Sequence, residues 1–205
     1  EILFGYDKAK EGIRHYDFSL IVEGQFDVVL SHQAGYTNAV AVSGTALTAQ
    51  HVSLLQRLSN RVVLALDADR AGIAAVKRAA LLTLARGVDL KVAKLPEGSD
   101  PADIAAKNPK ELKQVIGQAT HVIEFLLTTL KAEAKDDRAY KLRVRDEVLP
   151  YLLLIDSQID RDHFVGVVAQ ALKTTVDAIR LDLTRLETKR NNEIKIVTDN
   201  SLTPA

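Results

Sequence analysis

Along the first half of the chain, short β-branched apolar runs alternate with stretches whose apolar residues recur every three to four positions. The runs Phe18–Val22, Ala39–Val42, Arg61–Leu66 and Leu90–Leu95 predict strands. Between them the spacing predicts helices over Gln25–Ala34, Thr48–Leu58 and Ala71–Arg86. Gly35 and Gly87 stand where the first and last of these must stop, and Thr48 stands where a helix N-cap belongs. Strand and helix in strict alternation imply βαβ units and a mainly parallel sheet flanked by helices. From Pro101 onward the short period disappears, and long helical patterns follow near Val122–Ala134, Arg138–Ile155, Asp160–Leu172 and Thr175–Leu186. The expected organisation is an α/β domain over 1–118, an all-α helical subdomain over 119–190, and a polar tail or linker over 191–205.

Composition narrows the function classes. Hydrophobic residues make up 47% of the 205 positions, enough for a substantial core. Lys plus Arg and Asp plus Glu are equal at 27 each, so no global field draws the chain to polyanions and such binding has to be local. No window approaches the roughly 20 apolar residues of a membrane span, and a signal-peptide pattern is lacking, which leads us to expect a cytoplasmic protein with no membrane partner. Without cysteine there is neither a disulfide framework nor a thiolate zinc site. A chain that opens on Glu1 is expected to be a piece of a longer one.

The chemistry gathers where the predicted strands end. In an open parallel sheet the binding crevice lies beyond the carboxyl ends of the strands. Glu23 follows the first strand and Asp67 the third, with Asp69 two residues further on; Asp27 is one helical turn beyond Glu23, and Asp100 follows the fourth strand in LPEGSDPAD. Two carboxylates about 4 Å apart repel by roughly 4 kcal/mol at an effective dielectric of about 20, so such a cluster takes up protons or a cation. Oxygen donors alone favour Mg²⁺ or Mn²⁺ over zinc. The plainer alternative is that these acids only cap helices, as many acids in βα loops do. In SGTAL after the second strand, Gly44 and Thr45 suit a phosphate-binding loop, or an ordinary turn capped by Thr48. The five histidines lack metal-ligand spacing, and the basic group Lys77, Arg78, Arg86, Lys91 and Lys94 reads as a solvated face.

LIVEGQFDVVLSHQAG resembles the glutamate motif of the TOPRIM domain, and LALDADRAG its paired-aspartate motif. Taken with LFGYDKAKEGI, AVSGTALT and LPEGSDPAD, and with VIEFLL, EVLPYLLLI and DRDHFVGVVAQAL downstream, the chain resembles the bacterial DnaG-type DNA primases over about residues 3–186. That resemblance implies an RNA polymerase making short primers on single-stranded DNA from ribonucleoside triphosphates. It assigns Glu23, Asp67 and Asp69 to the catalytic acids, and makes all three metal ligands together with Asp27 and Asp100. It also implies nucleoid association during replication, and a replicative helicase contacted through a further C-terminal domain. The family commonly reads D-P-D where this chain has Asp100-Pro101-Ala102-Asp103, and a one-residue shift turns the Asp103 side chain elsewhere. The family's zinc ribbon and the upstream half of its polymerase core have no counterpart here, so this stretch alone is expected to prime weakly or not at all. Alternatives are another TOPRIM enzyme, such as a phage-type primase or a nuclease, and a non-catalytic scaffold. A topoisomerase would need a nucleophilic tyrosine, whereas Tyr140 and Tyr151 sit in apolar helical patterns that read as packing.

Overall fold

The computed structural model describes residues 3–44, 46–66, 70–96 and 98–200, with residues 70 and 193–200 described by their backbone. It divides into two compact units, Glu1–Phe125 and Leu126–Ala205.

In the first unit the elements run α1 (Tyr6–Tyr16), β1 (Ser19–Val22), α2 (Gln25–Gln33), β2 (Ala39–Ala41), α3 (Ala49–Gln56), β3 (Arg61–Leu64), α4 (Arg70–Leu84), β4 (Asp89–Val92), α5 (Pro101–Lys107), α6 (Pro109–Gly117) and β5 (Thr120–His121). The next helix, α7 (Val122–Glu133), contains the division between the units. The sheet order is β2-β1-β3-β4-β5, with the first three pairings parallel and β5 antiparallel at the edge. Every residue of β1 and β2 is buried, as expected of parallel strands covered on both faces. Alternation along the strands sends Leu20, Val22, Ala39, Ala41, Val63 and Ala65 into one core with Val28 of α2, Ile104 of α5 and Leu112 and Ile116 of α6. The opposite alternation, Ile21, Val40 and Leu64, serves the other face of the sheet. At the open edge of β2, Phe4 exchanges two backbone hydrogen bonds with Ala41, of 2.9 and 3.1 Å, which blunts that edge.

Boundaries at the strand ends are shorter than the apolar runs predict. Val42, Leu66 and the run through Leu95 lie past the last paired residue of their strands. Leu66 and Leu95 are buried all the same, Leu66 against the crevice beyond the strand ends and Leu95 within the core that Ile104 and Leu112 complete. Thr48 caps α3 as expected, its hydroxyl accepting from His51 N at 3.2 Å.

In the second unit, α8 (Asp137–Glu147), the short α9 (Leu149–Leu152), α10 (Gln158–Leu172) and α11 (Val176–Asn200) follow α7. Leu126, Leu130, Val144, Leu149, Leu152, Val165 and Val168 are almost fully buried. Pro150 splits the pattern predicted as one helix over Arg138–Ile155, since its ring cannot continue the α8 ladder. The backbone of α11 stays helical through Asn200, into the stretch expected to be a polar tail. Among the described residues no helix is long and apolar enough to cross a membrane.

Candidate functional site

Chain order fixes where a site can form. From β1 the connection through α2 goes to β2 on one side, and the connection through α3 brings β3 to the other side. The crossover direction therefore reverses between β1 and β3, and a crevice opens beyond their carboxyl ends. Register places Ile21 beside Leu64, and Ala65 N donates to Ile21 O at 2.9 Å, so the two chains leave the sheet side by side.

Glu23 stands at this point, exposed, with its own carbonyl accepting from Ser43 N at 3.0 Å. That bond ties the β1 exit to the loop after β2. Ser43 and Gly44 both take left-handed backbone conformations, with φ of 48° and 77°, and the Gln25 side chain holds Ser43 Oγ at 3.1 Å. A serine in that region is uncommon and persists because the surrounding bonds hold it. Glu23, Gly44 and Arg78 line a crevice of about 300 Å³, whose other walls are apolar, from Ile21, Leu64 and Leu66 to Ala75 and Ala79 of α4. Arg78, expected on a solvated face, is exposed and also borders this crevice. The signal that finds it is helical: Ala71, Ala75, Arg78 and Ala79 form one stripe at spacings of three and four.

Asp27 is different. Its side chain is buried and sits in the first turn of α2, where Oδ2 accepts from Gly24 N at 2.8 Å. Its Oδ1 accepts from Ala102 N at 3.1 Å, across 75 residues of sequence. Asp100 caps α5, with Oδ1 accepting from Asp103 N at 2.6 Å, and Pro101 occupies the first helical position. Asp103 is exposed on the first turn of α5. Asp67, Asp69 and Thr45 lie outside the described residues; β3 delivers the chain to the rim at Leu66, immediately before the first of the two aspartates. No group of three or more His, Cys, Asp or Glu arranged to hold a metal is found among the described residues. Glu23 and Asp100, the described acids that follow β1 and β4, offer oxygen donors only, the type a hard divalent ion takes.

A larger cavity, about 680 Å³, opens at the opposite end of the strands between the turn after α2 and α6, lined by Tyr16, Phe18, Tyr36, Lys110 and Lys113 among others. None of Glu23, Asp27 and Asp100 lines it, so size alone does not make it the site. Tyr140 and Tyr151 are buried in the helical unit, and burial raises both phenols above their ordinary pKa, with nearby Asp137 and Glu147 adding to it respectively. They pack; neither is poised as a nucleophile.

A family model described as Toprim-like matches residues 20–105, the stretch from β1 to α5 that carries the rim. The DNA primase of Listeria monocytogenes is 32% identical over 186 residues, which is 89% of this chain and 30% of that protein. A DNA primase domain from Pseudomonas aeruginosa superposes with a TM-score of 0.75 at 27% identity, covering 90% of this chain and 59% of that one. A DnaG primase catalytic domain solved bound to single-stranded DNA gives 0.72 at 29% identity, covering 84% and 56%. The chain belongs with the DnaG-type DNA primases. It spans about a third of the curated primases it matches, and corresponds to part of their catalytic core. Primases of this Toprim type use divalent metals.

Proposed function

We propose that this primase segment supplies the acidic half of a nucleotidyltransferase site that joins ribonucleoside triphosphates into short RNA primers on single-stranded DNA. The observation that carries the reading is the exposed Glu23 at the β1–β3 switch point, fixed through its carbonyl by Ser43 and facing a crevice with Arg78, in a chain of primase type. Glu23, Asp67, Asp69 and Asp100 would hold Mg²⁺ or Mn²⁺, which when bound screens phosphate charge and lowers the pKa of a coordinated hydroxyl. The chain's own contribution is placement. Strand ends would present carboxylates from separate loops to one edge, and with Ser43 N–H engaged by the Glu23 carbonyl, the left-handed turn leaves the Gly44 backbone as the part that would approach a phosphate oxygen there.

Template, triphosphates and a replicative helicase are the partners this reading requires, the helicase through a domain outside these 205 residues. Since the net charge is zero, the cationic surface that grips template belongs to the upstream part of the longer protein, and the segment by itself is expected to prime weakly. The test is primer synthesis on single-stranded DNA by the longer protein. Glu23→Gln keeps the side chain's size and removes its charge, and should abolish synthesis; a variant that still makes primers takes Glu23 out of the mechanism.

A further inference from the structure

Asp27 stands among the candidate metal ligands, yet both of its carboxylate oxygens already face backbone donors. Only 6% of the residue is exposed. Mg²⁺ keeps several of its waters when proteins bind it, and a carboxylate this enclosed offers little room for them. The two donors, Gly24 N and Ala102 N, belong to residues one and two positions away from the acids that reach the rim. Gly24 follows Glu23 directly. Ala102 follows Asp100 with only Pro101 between, and the proline ring fixes that link.

We propose that Asp27 is a positioning residue: its buried carboxylate clips the first turn of α2 to the first turn of α5 and thereby sets Asp100 against Glu23. This rests on the reading in which Glu23 and Asp100 hold a divalent ion. Gly24 belongs to the same device. A methyl group there would lie 3.2 Å from Asp27 Oδ2, tighter than ordinary contact, so glycine leaves the carboxylate the space to come in close. Its backbone is extended, with φ of −110°, so an alanine is tolerated by the chain and disturbs the clip without touching any charge.

The role and the ligand alternative predict opposite signs in metal-free protein. An acid whose main neighbours are other acids is relieved when neutralised; one that satisfies two buried N–H groups is not. Asn has one acceptor oxygen, so in Asp27→Asn its amide NH₂ confronts the second donor. We expect Asp27→Asn to lower the metal-free melting temperature by roughly 5 °C or more, with faster amide exchange at Gly24 and Ala102. An unchanged or raised melting temperature overturns the clip.

Calorimetric titration with Mn²⁺ alone then tests whether the clip positions Asp100. Asp27→Ala should weaken Mn²⁺ binding by about tenfold, the scale of losing a partner that orients a ligand. It should have no further effect in an Asp100→Ala background, and Gly24→Ala should weaken binding with every carboxylate retained. Losses that add independently in the double variant, or a Gly24→Ala protein that binds as tightly as wild type, overturn the positioning role. If wild type itself fails to bind Mn²⁺, the metal reading falls and the positioning role with it, an outcome separable at once from failures confined to the variants.

Discussion

Several acids of the helical unit are met by side-chain cations, whereas Asp27 and Asp100 of the first unit are met by backbone N–H groups, as Asp136 is at the start of α8. In the helical unit Asp137 pairs with Lys141 at 2.8 Å, Asp146 with Arg145 at 2.7 Å, and Glu133 and Glu147 share Arg143 at 3.0 and 2.7 Å; Asp162 is bonded by Arg180. At the rim Asp27 and Asp100 take backbone N–H groups instead. The difference is electrostatic. A cation cancels the charge it touches, whereas a peptide N–H satisfies lone pairs and leaves the net charge in place. The backbone bonds to Asp27 and Asp100 do not of themselves neutralise either carboxylate, as the lysine and arginines of the helical unit neutralise theirs.

The largest expected effect follows from using that charge. In the longer primase, Glu23→Gln should reduce primer synthesis at least about 100-fold, equivalent to roughly 2.7 kcal/mol of barrier, while Asp162→Asn leaves synthesis unchanged. Equal losses in the two variants would erase the distinction between the regions. Next comes stability. Asp27→Ala removes a buried acceptor of two hydrogen bonds and should cost about 2–4 kcal/mol by urea denaturation. Asp162→Ala breaks a surface pair and should cost less than about 1 kcal/mol. A reversal of that order would show that the rim acid is solvated rather than clipped. Mn²⁺ in excess should raise the melting temperature of wild type and not that of Asp67→Ala/Asp69→Ala; at about 100 times the dissociation constant the gain is roughly 2.7 kcal/mol. Equal response in both proteins favours the scaffold alternative.

How much of this was legible in the sequence differs along the chain. The four parallel strands and the helices between them follow from period alone, because both faces of the sheet are buried and the runs are continuously apolar. What period cannot show is where pairing stops: Leu66 and Leu95 are as apolar as the strand residues before them and as buried, yet neither belongs to a paired strand. Helix α1 leaves little trace because it carries only Ala9 and Ile13 as buried apolar side chains, and β5 leaves none because two residues make no pattern. Glu23 was legible as a strand-end acid. The setting of Asp27 was half legible: third in its helix, it is where a carboxylate reaches back to the preceding turn, but its bond to Ala102 spans 75 residues and no local rule contains it. Spacing from Glu23 suggested a shared ion, when the same spacing also serves a cap.

The smallest effect tests the other side of the comparison, where charges are cancelled. Asp137 and Asp146 titrate below the ordinary value of 3.8, chiefly because Lys141 and Arg145 respectively donate hydrogen bonds to them; burial opposes the shift, and the attraction of those same cations adds a lesser lowering. A carboxyl whose folded pKa lies below its unfolded one stabilises the fold at pH above the unfolded value. That contribution is lost as pH falls through the folded value, so it is complete at pH 5 and above and fades below about pH 4. Both side chains are solvent-exposed, so water and salt screen each contribution to a small one. Thermal melts of wild type and of Asp137→Asn/Asp146→Asn should therefore differ slightly at pH 6 in low salt. They should converge both at about pH 2 and in roughly 1 M NaCl at pH 6. A gap that persists at about pH 2 would mean the two aspartates act through something other than their charge, and the contrast with the rim would lose its electrostatic basis.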